Sequence, residues 1–166
     1  MKKIEVKIKK LHPDAVVPTR VHEFDGGWDV VATEIIKKSE TLYICKLGFA
    51  MEIPEGYKLT IVPRSSLTGT ELVMQNSPGL GDPSYRGEYQ VRFKNLPVGI
   101  NNKRSVDNVN KSVSELIYNQ FPYNVGDRIA QVYLEEVIDM NITVVDELGD
   151  TVRGEGGFGS TKNEKL

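Results

Sequence analysis

The chain has few of the residues that build disulfide frameworks and metal centres. One cysteine occurs in 166 residues, which excludes an internal disulfide framework and is typical of proteins in reducing compartments. His12 and His22 are the two histidines, and neither has a partner at ligand spacing. We therefore expect no structural zinc site. Cys45 lies in the apolar run 42–47, so we interpret it as a small buried residue rather than a nucleophile.

Long apolar runs and an excess of positive charge are also missing. No run approaches the ~20 apolar residues of a membrane-spanning helix. The opening residues MKKIEVK are charged rather than apolar, so we expect no signal peptide and a cytoplasmic protein. The formal net charge is −2, which argues against broad electrostatic binding of nucleic acid. We expect neither a membrane nor a nucleic-acid partner.

Short stretches of alternating apolar and polar residues fill most of the chain. Such alternation predicts half-buried strands, and turns rich in glycine and proline separate them. The predicted strands are 4–8, 28–32, 42–53 with a break at Gly48, 57–61, 89–93, 128–134 and 142–145, and 72–75 is a short apolar piece. Many short strands in 166 residues predict one all-β domain, a sandwich or a barrel.

Residues 96–125 have a different pattern. Val106, Val109, Val113, Leu116 and Ile117 recur at helical spacing among polar residues. This spacing predicts one short amphipathic helix in an otherwise β-patterned chain.

A glycine-rich stretch, RGEGGFGST, occupies residues 153–161. Glycines allow backbone N–H groups to approach an anion, and Arg153, Ser160 and Thr161 would add donors to phosphate oxygens. The alternative is a flexible tail, since terminal segments rich in glycine are commonly disordered. A dinucleotide-binding fingerprint is excluded, because G-x-G-x-x-G must open a helix inside a βαβ unit.

Two internal stretches also hold candidate functional residues. Arg64, Ser65 and Ser66 follow a predicted strand, where they would either bind phosphate or cap a short helix, and capping is the better interpretation of the segment alone. Asp82 and Tyr85 lie in a loop studded with glycine and proline, which would hold both on a constrained backbone.

Taken in order, five stretches resemble the five motifs of the trimeric dUTP diphosphatases (dUTPases). They are GGWD at 26–29, PRSSL at 63–67, GLGDPSYRGE at 79–88, GDRIAQ at 126–131 and RGEGGFGS at 153–160. The resemblance implies a jelly-roll-like β-barrel, to which the spacing adds the one short helix in 96–125, and a homotrimer with active sites between subunits. It also implies hydrolysis of dUTP to dUMP and pyrophosphate with Mg²⁺, which limits uracil in DNA and supplies dUMP for dTMP synthesis.

The resemblance also implies roles for individual residues. Asp82 would orient and polarise the attacking water. Tyr85 would pack against the deoxyribose and exclude a 2′-hydroxyl, and Asp29 would reach Mg²⁺ through water or brace the site against Arg128. Further substrate contacts are implied for Arg64, Ser65, Ser66 and Gln131 at the phosphates, Asn76 and Gly79 near uracil, and Arg153, Phe158, Gly159, Ser160 and Thr161 in a closing arm.

This sequence departs from the family pattern at several places. Leu80-Gly81 precedes Asp82 where a β-branched residue is usual, Pro83 follows it, and Trp28 replaces a Tyr or Leu. Residues 96–125 exceed the usual connection and resemble an insertion of phage-encoded relatives, in which case the location would be the host cytoplasm. We expect a barrel domain over 1–152 and a flexible arm over 153–166.

Two other functions remain open at this point. The related dCTP deaminases share the fold but place a Glu base ten positions after the aspartate, where this chain has Arg92, which cannot act as a base at neutral pH. The second alternative is a nucleotide-binding regulator that uses residues 96–125 to bind a protein partner.

Overall fold

The computed structural model describes residues 3–104 and 112–157. Those residues form β-strands and one short 3₁₀ helix, so the all-β prediction is confirmed. The strands are β1 Lys7–Lys10, β2 Trp28–Val31, β3 Glu34–Lys37, β4 Leu42–Lys46, β5 Phe49–Glu52, β6 Tyr57–Pro63, β7 Leu72–Met74, β8 Gly79–Gly81, β9 Gln90–Asn95, β10 Pro97–Arg104, β11 Ser112–Tyr118 and β12 Arg128–Glu136; the 3₁₀ helix is Ser65–Gly69. No helix in these two ranges is long and apolar enough to span a membrane.

Two four-stranded antiparallel sheets form the body of the domain. Their strand orders are β2-β12-β6-β8 and β3-β4-β9-β7, and two further pairs, β1-β5 and β10-β11, complete the described architecture. Side chains from both sheets contribute to one buried cluster, which is the layered arrangement expected of a jelly-roll-like fold. The largest fully buried side chains are Phe49, Phe93, Leu47, Ile129, Val30, Val91 and Cys45.

The period-2 pattern predicted most strands correctly. In β9, Val91 and Phe93 are buried while Arg92 and Lys94 are exposed, as strict alternation requires. The break at Gly48 is confirmed, since this residue separates β4 from β5 and has φ +70°. The pattern missed β3, β7 and β8. It placed the first strand at 4–8, whereas β1 is Lys7–Lys10. The strand predicted at 142–145 is absent.

The helix predicted within residues 96–125 is wrong for the described part of that segment. β10 and β11 instead pair antiparallel, with Pro97 opposite Tyr118 and Ile100 opposite Leu116. The helical spacing joined valines at 106 and 109 to Val113, Leu116 and Ile117, which belong to β11. Residues 105–111 lie outside the described ranges, so nothing tests the prediction there.

After β12 the chain continues to residue 157 without forming a strand. This segment carries strongly exposed apolar side chains, including Ile138 at 87%, Val144 at 95% and Leu148 at 89%. Many large apolar side chains exposed in one segment are unusual on a protein surface, and contiguous patches of them are typical of interaction sites.

Candidate active site

A buried carboxylate organises one end of the β2-β12-β6-β8 sheet. Asp29 is 5% exposed. Its Oδ1 accepts hydrogen bonds from Arg64 Nε at 3.0 Å and Gln131 Nε2 at 3.2 Å, and its Oδ2 accepts one from Arg128 Nη1 at 2.9 Å. A buried charge is tolerated when it is paired and hydrogen-bonded in this way.

Strand register brings these four residues together. On β12, Gln131 lies opposite Asp29 of β2 on one side and Val62 of β6 on the other. Arg64 follows the end of β6, directly beyond this register. The backbone of Asp29 also pairs with Thr19 through both of its hydrogen-bonding groups, at 2.7 and 3.2 Å. The backbone of Asp29 is therefore held on both sides, by β12 on one and by Thr19 on the other, and this fixes the position of its carboxylate.

The cluster has more positive than negative charge. Two guanidinium groups face the single Asp29 carboxylate, and Arg64 Nη1 also donates to the carbonyl of Arg128 at 3.2 Å. The side chains of Arg64 and Arg128 remain 25% and 47% exposed. Guanidinium groups held in place and still accessible are suited to phosphate oxygens.

Ser65 and Ser66 begin the 3₁₀ helix that follows Arg64, and both are exposed. Leu67 anchors the helix through its burial. Arg64 occupies the N-terminal capping position of the helix, and no side-chain hydrogen bond caps the helix there. A short helix is present at this place, as one of the two sequence interpretations expected, but no side-chain capping bond is seen, and both serines are exposed beside Arg64.

Asp82 and Tyr85 lie in the turn that connects β8 of one sheet to β9 of the other. The Tyr85 N–H donates to the Asp82 carbonyl at 3.1 Å, which makes a tight turn, and Asp82 is exposed. Arg86 Nη1 donates to the carbonyls of Pro83 and Tyr85. The unusual Pro83 thus lies in a turn that Arg86 closes by binding backbone carbonyls of the same turn.

The Tyr85 ring is held by contacts from within the same turn. Its hydroxyl donates to the Glu88 carbonyl at 3.0 Å. A Cβ on Gly87 would lie 2.6 Å from Tyr85 Cζ, so a side chain there is excluded. Glu88 in turn accepts a hydrogen bond from the Gly48 N–H at 3.1 Å, which ties the turn to the junction of β4 and β5.

Tyr89 lies beneath this turn, 4% exposed, with its ring edge-on to that of Tyr85 at a centroid distance of 5.3 Å. Its hydroxyl is buried and has no hydrogen-bond partner among the described residues. Burial, with smaller contributions from Tyr85 and Asp82, raises the pKa of Tyr89 to about 12. The phenol therefore stays neutral across the physiological range.

Asn76 holds the base of the same β8–β9 connection. Its Nδ2 donates to the Gln90 carbonyl at 3.0 Å, and its Oδ1 accepts from the Arg92 N–H at 2.9 Å. β8 pairs with β6, whereas β9 pairs with β4 and β7. β8 is therefore an outer strand of its sheet in the described part of the chain. The backbone groups on its outer side at Gly79 can accept a partner, such as the hydrogen-bonding groups of a base.

One protomer does not bring these two groups of residues to the same place. Gly81 pairs with Leu59 near the start of β6, so Asp82 lies beside that end, whereas Arg64 follows the other end. Six residues separate position 58 from Arg64, which is about 20 Å at 3.3 Å per residue. The turn with Asp82 and the cluster around Asp29 are thus at opposite ends of β6.

The glycine-rich stretch is only partly described. Arg153 is exposed, and its Nε donates to the Gly156 carbonyl at 2.7 Å in a local turn. The predicted contacts at Phe158, Gly159, Ser160 and Thr161 lie outside the described residues. The structure therefore places the start of the predicted arm but not its nucleotide contacts.

A magnesium ion would find few carboxylate ligands in the described residues. Within 3–104 and 112–157, no group of three His, Cys, Asp or Glu side chains is arranged around a metal position, and Asp29 already accepts bonds from three side chains. This donor set suits an ion held by nucleotide phosphates and water, as is common for Mg²⁺.

Sequence reasoning overlooked Tyr89 and Gly87, and it named Arg128 only as a brace for Asp29. A signal for Tyr89 was present: Gly81 lacks a side chain where one is usual, and an aromatic residue occurs eight positions later. The large ring of Trp28 has a partner in the structure, because the Arg20 guanidinium lies 4.5 Å from the ring centroid in a cation–π contact.

Comparisons with known proteins find relatives over nearly the whole chain. The dUTPase family model matches residues 14–100 and 96–162. A deoxyuridine 5′-triphosphate nucleotidohydrolase of Picosynechococcus is 40% identical over 161 residues, 95% of this chain and 99% of the relative. One from Helicobacter pylori is 33% identical over 95% of this chain and 97% of the relative.

Solved structures are similar over the same span. The dUTPase of Staphylococcus bacteriophage 80alpha, solved with dUPNHPP, has a TM-score of 0.72 and 25% identity, covering 96% of this chain and 99% of that one. The dUTPase of phage phi11 of S. aureus, described for its species-specific insert, has a TM-score of 0.65 at 22% identity, covering 89% and 100%. The second similarity concerns the fold alone.

Proposed function

This chain belongs to the dUTPase family, and on that premise we propose that it hydrolyses dUTP to dUMP and pyrophosphate. The observation that carries the proposal is the pair of prepared sites: a fixed turn that presents Asp82 and Tyr85, and an accessible guanidinium cluster around Asp29. The first suits a deoxynucleoside with an attacking water, and the second suits a triphosphate.

Asp82 is the proposed catalytic residue. Its exposed carboxylate would accept a proton from water and hold that water in line with the α-phosphorus. Attack forms a bond from the water oxygen to phosphorus and breaks the bond to the bridging oxygen, so pyrophosphate leaves. Mg²⁺, held chiefly by the triphosphate, would offset the phosphate charge.

The remaining predicted residues would bind and orient the nucleotide. Tyr85 would lie against the deoxyribose, and Asn76 and Gly79 would hold the backbone that reads uracil. Arg64, Ser65, Ser66 and Gln131 would contact the phosphate chain, with Asp29 orienting the guanidinium and amide groups and reaching Mg²⁺ through water. The 153–166 arm, through Arg153, Phe158, Gly159, Ser160 and Thr161, would cover the bound nucleotide.

We also propose that the active unit is a homotrimer with sites between subunits. The separation of about 20 Å along β6 supports this, since Asp82 and Arg64 of one protomer are too far apart to serve one α-phosphate. The exposed apolar side chains after β12 would be covered by neighbouring copies. A cytoplasmic location remains part of the same proposal.

The deciding experiment incubates the protein with dUTP, dCTP, UTP and dTTP plus Mg²⁺ and measures pyrophosphate and ammonia separately. Pyrophosphate from dUTP alone is expected. The Asp82→Asn variant should keep dUTP binding and lose turnover by orders of magnitude, because the amide cannot take the proton. Ammonia from dCTP, or near-normal turnover by that variant, would contradict the proposal.

A further inference from the structure

Gly81 and Tyr89 face each other across the turn that carries Asp82 and Tyr85. A Cβ placed on Gly81 would lie 2.5 Å from Tyr89 Oη and 2.7 Å from Tyr89 Cε1. Real Cβ atoms do not approach ring atoms so closely. The Tyr89 ring therefore takes the volume that a side chain at position 81 would fill.

Tyr89 is itself firmly held. Its N–H donates to the Phe49 carbonyl and its carbonyl accepts from the Leu47 N–H, each at 3.0 Å. The Phe49 ring packs against it at a centroid distance of 6.1 Å. Both neighbours are at most 1% exposed, so the ring of Tyr89 projects from the core rather than from a mobile loop.

Tyr85, by contrast, is 41% exposed and depends on contacts inside its turn. Its hydroxyl is fixed by Glu88, and the T-shaped contact with Tyr89, at 84° between ring planes, supports the ring body. An edge-to-face pair is directional. A change in the Tyr89 ring would therefore change the tilt of the Tyr85 ring.

We propose that Tyr89 is the positioning residue for Tyr85 and that the missing side chain of Gly81 makes room for it. Together the pair sets selectivity for 2′-deoxyribose over ribose. The inference rests on the proposed function, in which Tyr85 contacts the sugar. Tyr89 acts through Tyr85 and does not touch substrate.

The test is the ratio of kcat/KM for dUTP to kcat/KM for UTP. Tyr89→Leu removes the ring, and we expect the ratio to fall about tenfold as Tyr85 loses its edge contact. Tyr89→Phe keeps the ring, so the ratio should stay near that of the wild type. Loss of a buried hydroxyl that has no partner among the described residues should raise Tm. Gly81→Ile combined with Tyr89→Leu should recover part of the ratio by refilling the space.

Tyr123→Leu is the matched control. Tyr123 is also partly buried with an unpartnered hydroxyl among the described residues, but its ring contacts Phe93 at 5.4 Å, away from the turn. This variant should lose stability and keep the ratio. If Tyr89→Leu fails to fold, Gly81→Ala supplies the same test, because its Cβ would displace the Tyr89 ring and lower the ratio.

The possible failures are distinguishable. An unchanged ratio in Tyr89→Leu, or in Gly81→Ala, with dUTP hydrolysis intact would overturn the positioning role and leave the proposed function standing. An equal fall of the dUTP-to-UTP ratio in Tyr123→Leu would show that general destabilisation causes the effect. That result would also overturn the positioning role of Tyr89. A wild-type chain that releases no pyrophosphate from dUTP would overturn both proposals.

Discussion

At the scale of single residues, Asp29 is the charge that holds together the guanidinium cluster proposed to bind phosphate. Its carboxylate accepts bonds from two guanidinium groups and one amide while only 5% exposed. Removing one partner of such a group leaves the others with uncompensated charge. The carboxylate is thus both a structural brace and the element that aims Arg64 and Arg128.

Asp29→Asn should lower the free energy of unfolding by about 3 kcal/mol. This is the low end of the range for removing one partner of a buried ion pair, because the Arg128 side chain is half exposed. Its KM for dUTP should rise as the guanidinium groups lose their orientation. Urea denaturation and steady-state kinetics measure the two effects. Lys7→Gln is a suitable control, since it breaks the exposed Lys7–Glu52 pair at 2.8 Å and should change neither quantity much. Unaltered stability in Asp29→Asn would contradict the bracing role.

Cys45 provides a pH-dependent prediction. Burial raises the pKa of its thiol from 9.0 to about 12, so the unfolded chain loses this proton before the folded chain does. The contribution to stability is complete below pH 9 and is lost as pH rises from 9 toward 12. Between pH 8 and pH 10 the wild type should lose about 1.4 kcal/mol more than Cys45→Ala, measured by urea denaturation. Equal losses in the two proteins would show that the thiol ionises normally in the folded state.

Residue-level reasoning from sequence succeeded where a charge had an obvious complement. The expected bracing of Asp29 against Arg128 is what the structure shows. It did not find the role of Tyr89: the missing side chain at Gly81 indicates a space and an aromatic residue follows eight positions later, but nothing in the sequence shows that the two face each other. That information depends on the backbone path of the turn, which alternation patterns do not encode.

At the scale of secondary structure, the pair β10–β11 shows where periodicity fails. Apolar residues recur three and four positions apart across 106–117, which matched a helix, although residues 112–118 form β11. Pairing of Ile100 with Leu116 decides the matter, and no sequence pattern specified that register. Among the strands of the body, β9 was the clearest to predict, because one buried face made its alternation strict.

The β10–β11 hairpin should be separable from the chemistry. It pairs with neither four-stranded sheet, and Val98, Ile100 and Leu116 are 46%, 62% and 48% exposed. Replacing 98–117 with a short glycine-containing turn, while keeping the Asn95 Nδ2 bond to the Asn119 carbonyl at 2.7 Å, should leave Tm and dUTP turnover near those of the full chain. Calorimetry and a pyrophosphate assay measure both.

Loss of turnover on this excision would place the hairpin in the active site. Retained turnover would instead leave its exposed apolar side chains free for the second role considered from the sequence, binding of a protein partner. That role would be added to hydrolysis rather than replace it, because the residues around Asp82 and Asp29 lie outside the hairpin.

At the scale of the whole molecule, two observations point beyond one protomer. The Asp82 turn and the Arg64 cluster lie about 20 Å apart along β6. The segment after β12 exposes Ile138, Ile142 and Val144 at 87%, 79% and 95%. A second copy would solve both problems, by bringing a guanidinium cluster to the turn and by covering the apolar side chains. The sequence alone did not reveal the separation, because it depends on the antiparallel register of β6 and β8.

Sharing of active sites between protomers can be tested with two complementary variants. One protein carries Asp82→Asn with the complete chain, and the other has intact Asp82 but ends at residue 152. Each alone should be nearly inactive in the pyrophosphate assay. If the 153–166 arm of one protomer closes a neighbour's site, mixed trimers formed by joint refolding should contain complete sites, about a quarter of the total after random 1:1 mixing. If each arm serves the turn of its own protomer, no mixed trimer contains a complete site, and the mixture stays as inactive as its parts.

Light scattering on each parent should give the same trimer mass, since residues 137–152 remain. A monomeric truncated protein would place the assembly contacts in the arm itself. Recovery in the mixture, with both parents trimeric, would therefore locate Asp82 and the arm of one active site on different subunits.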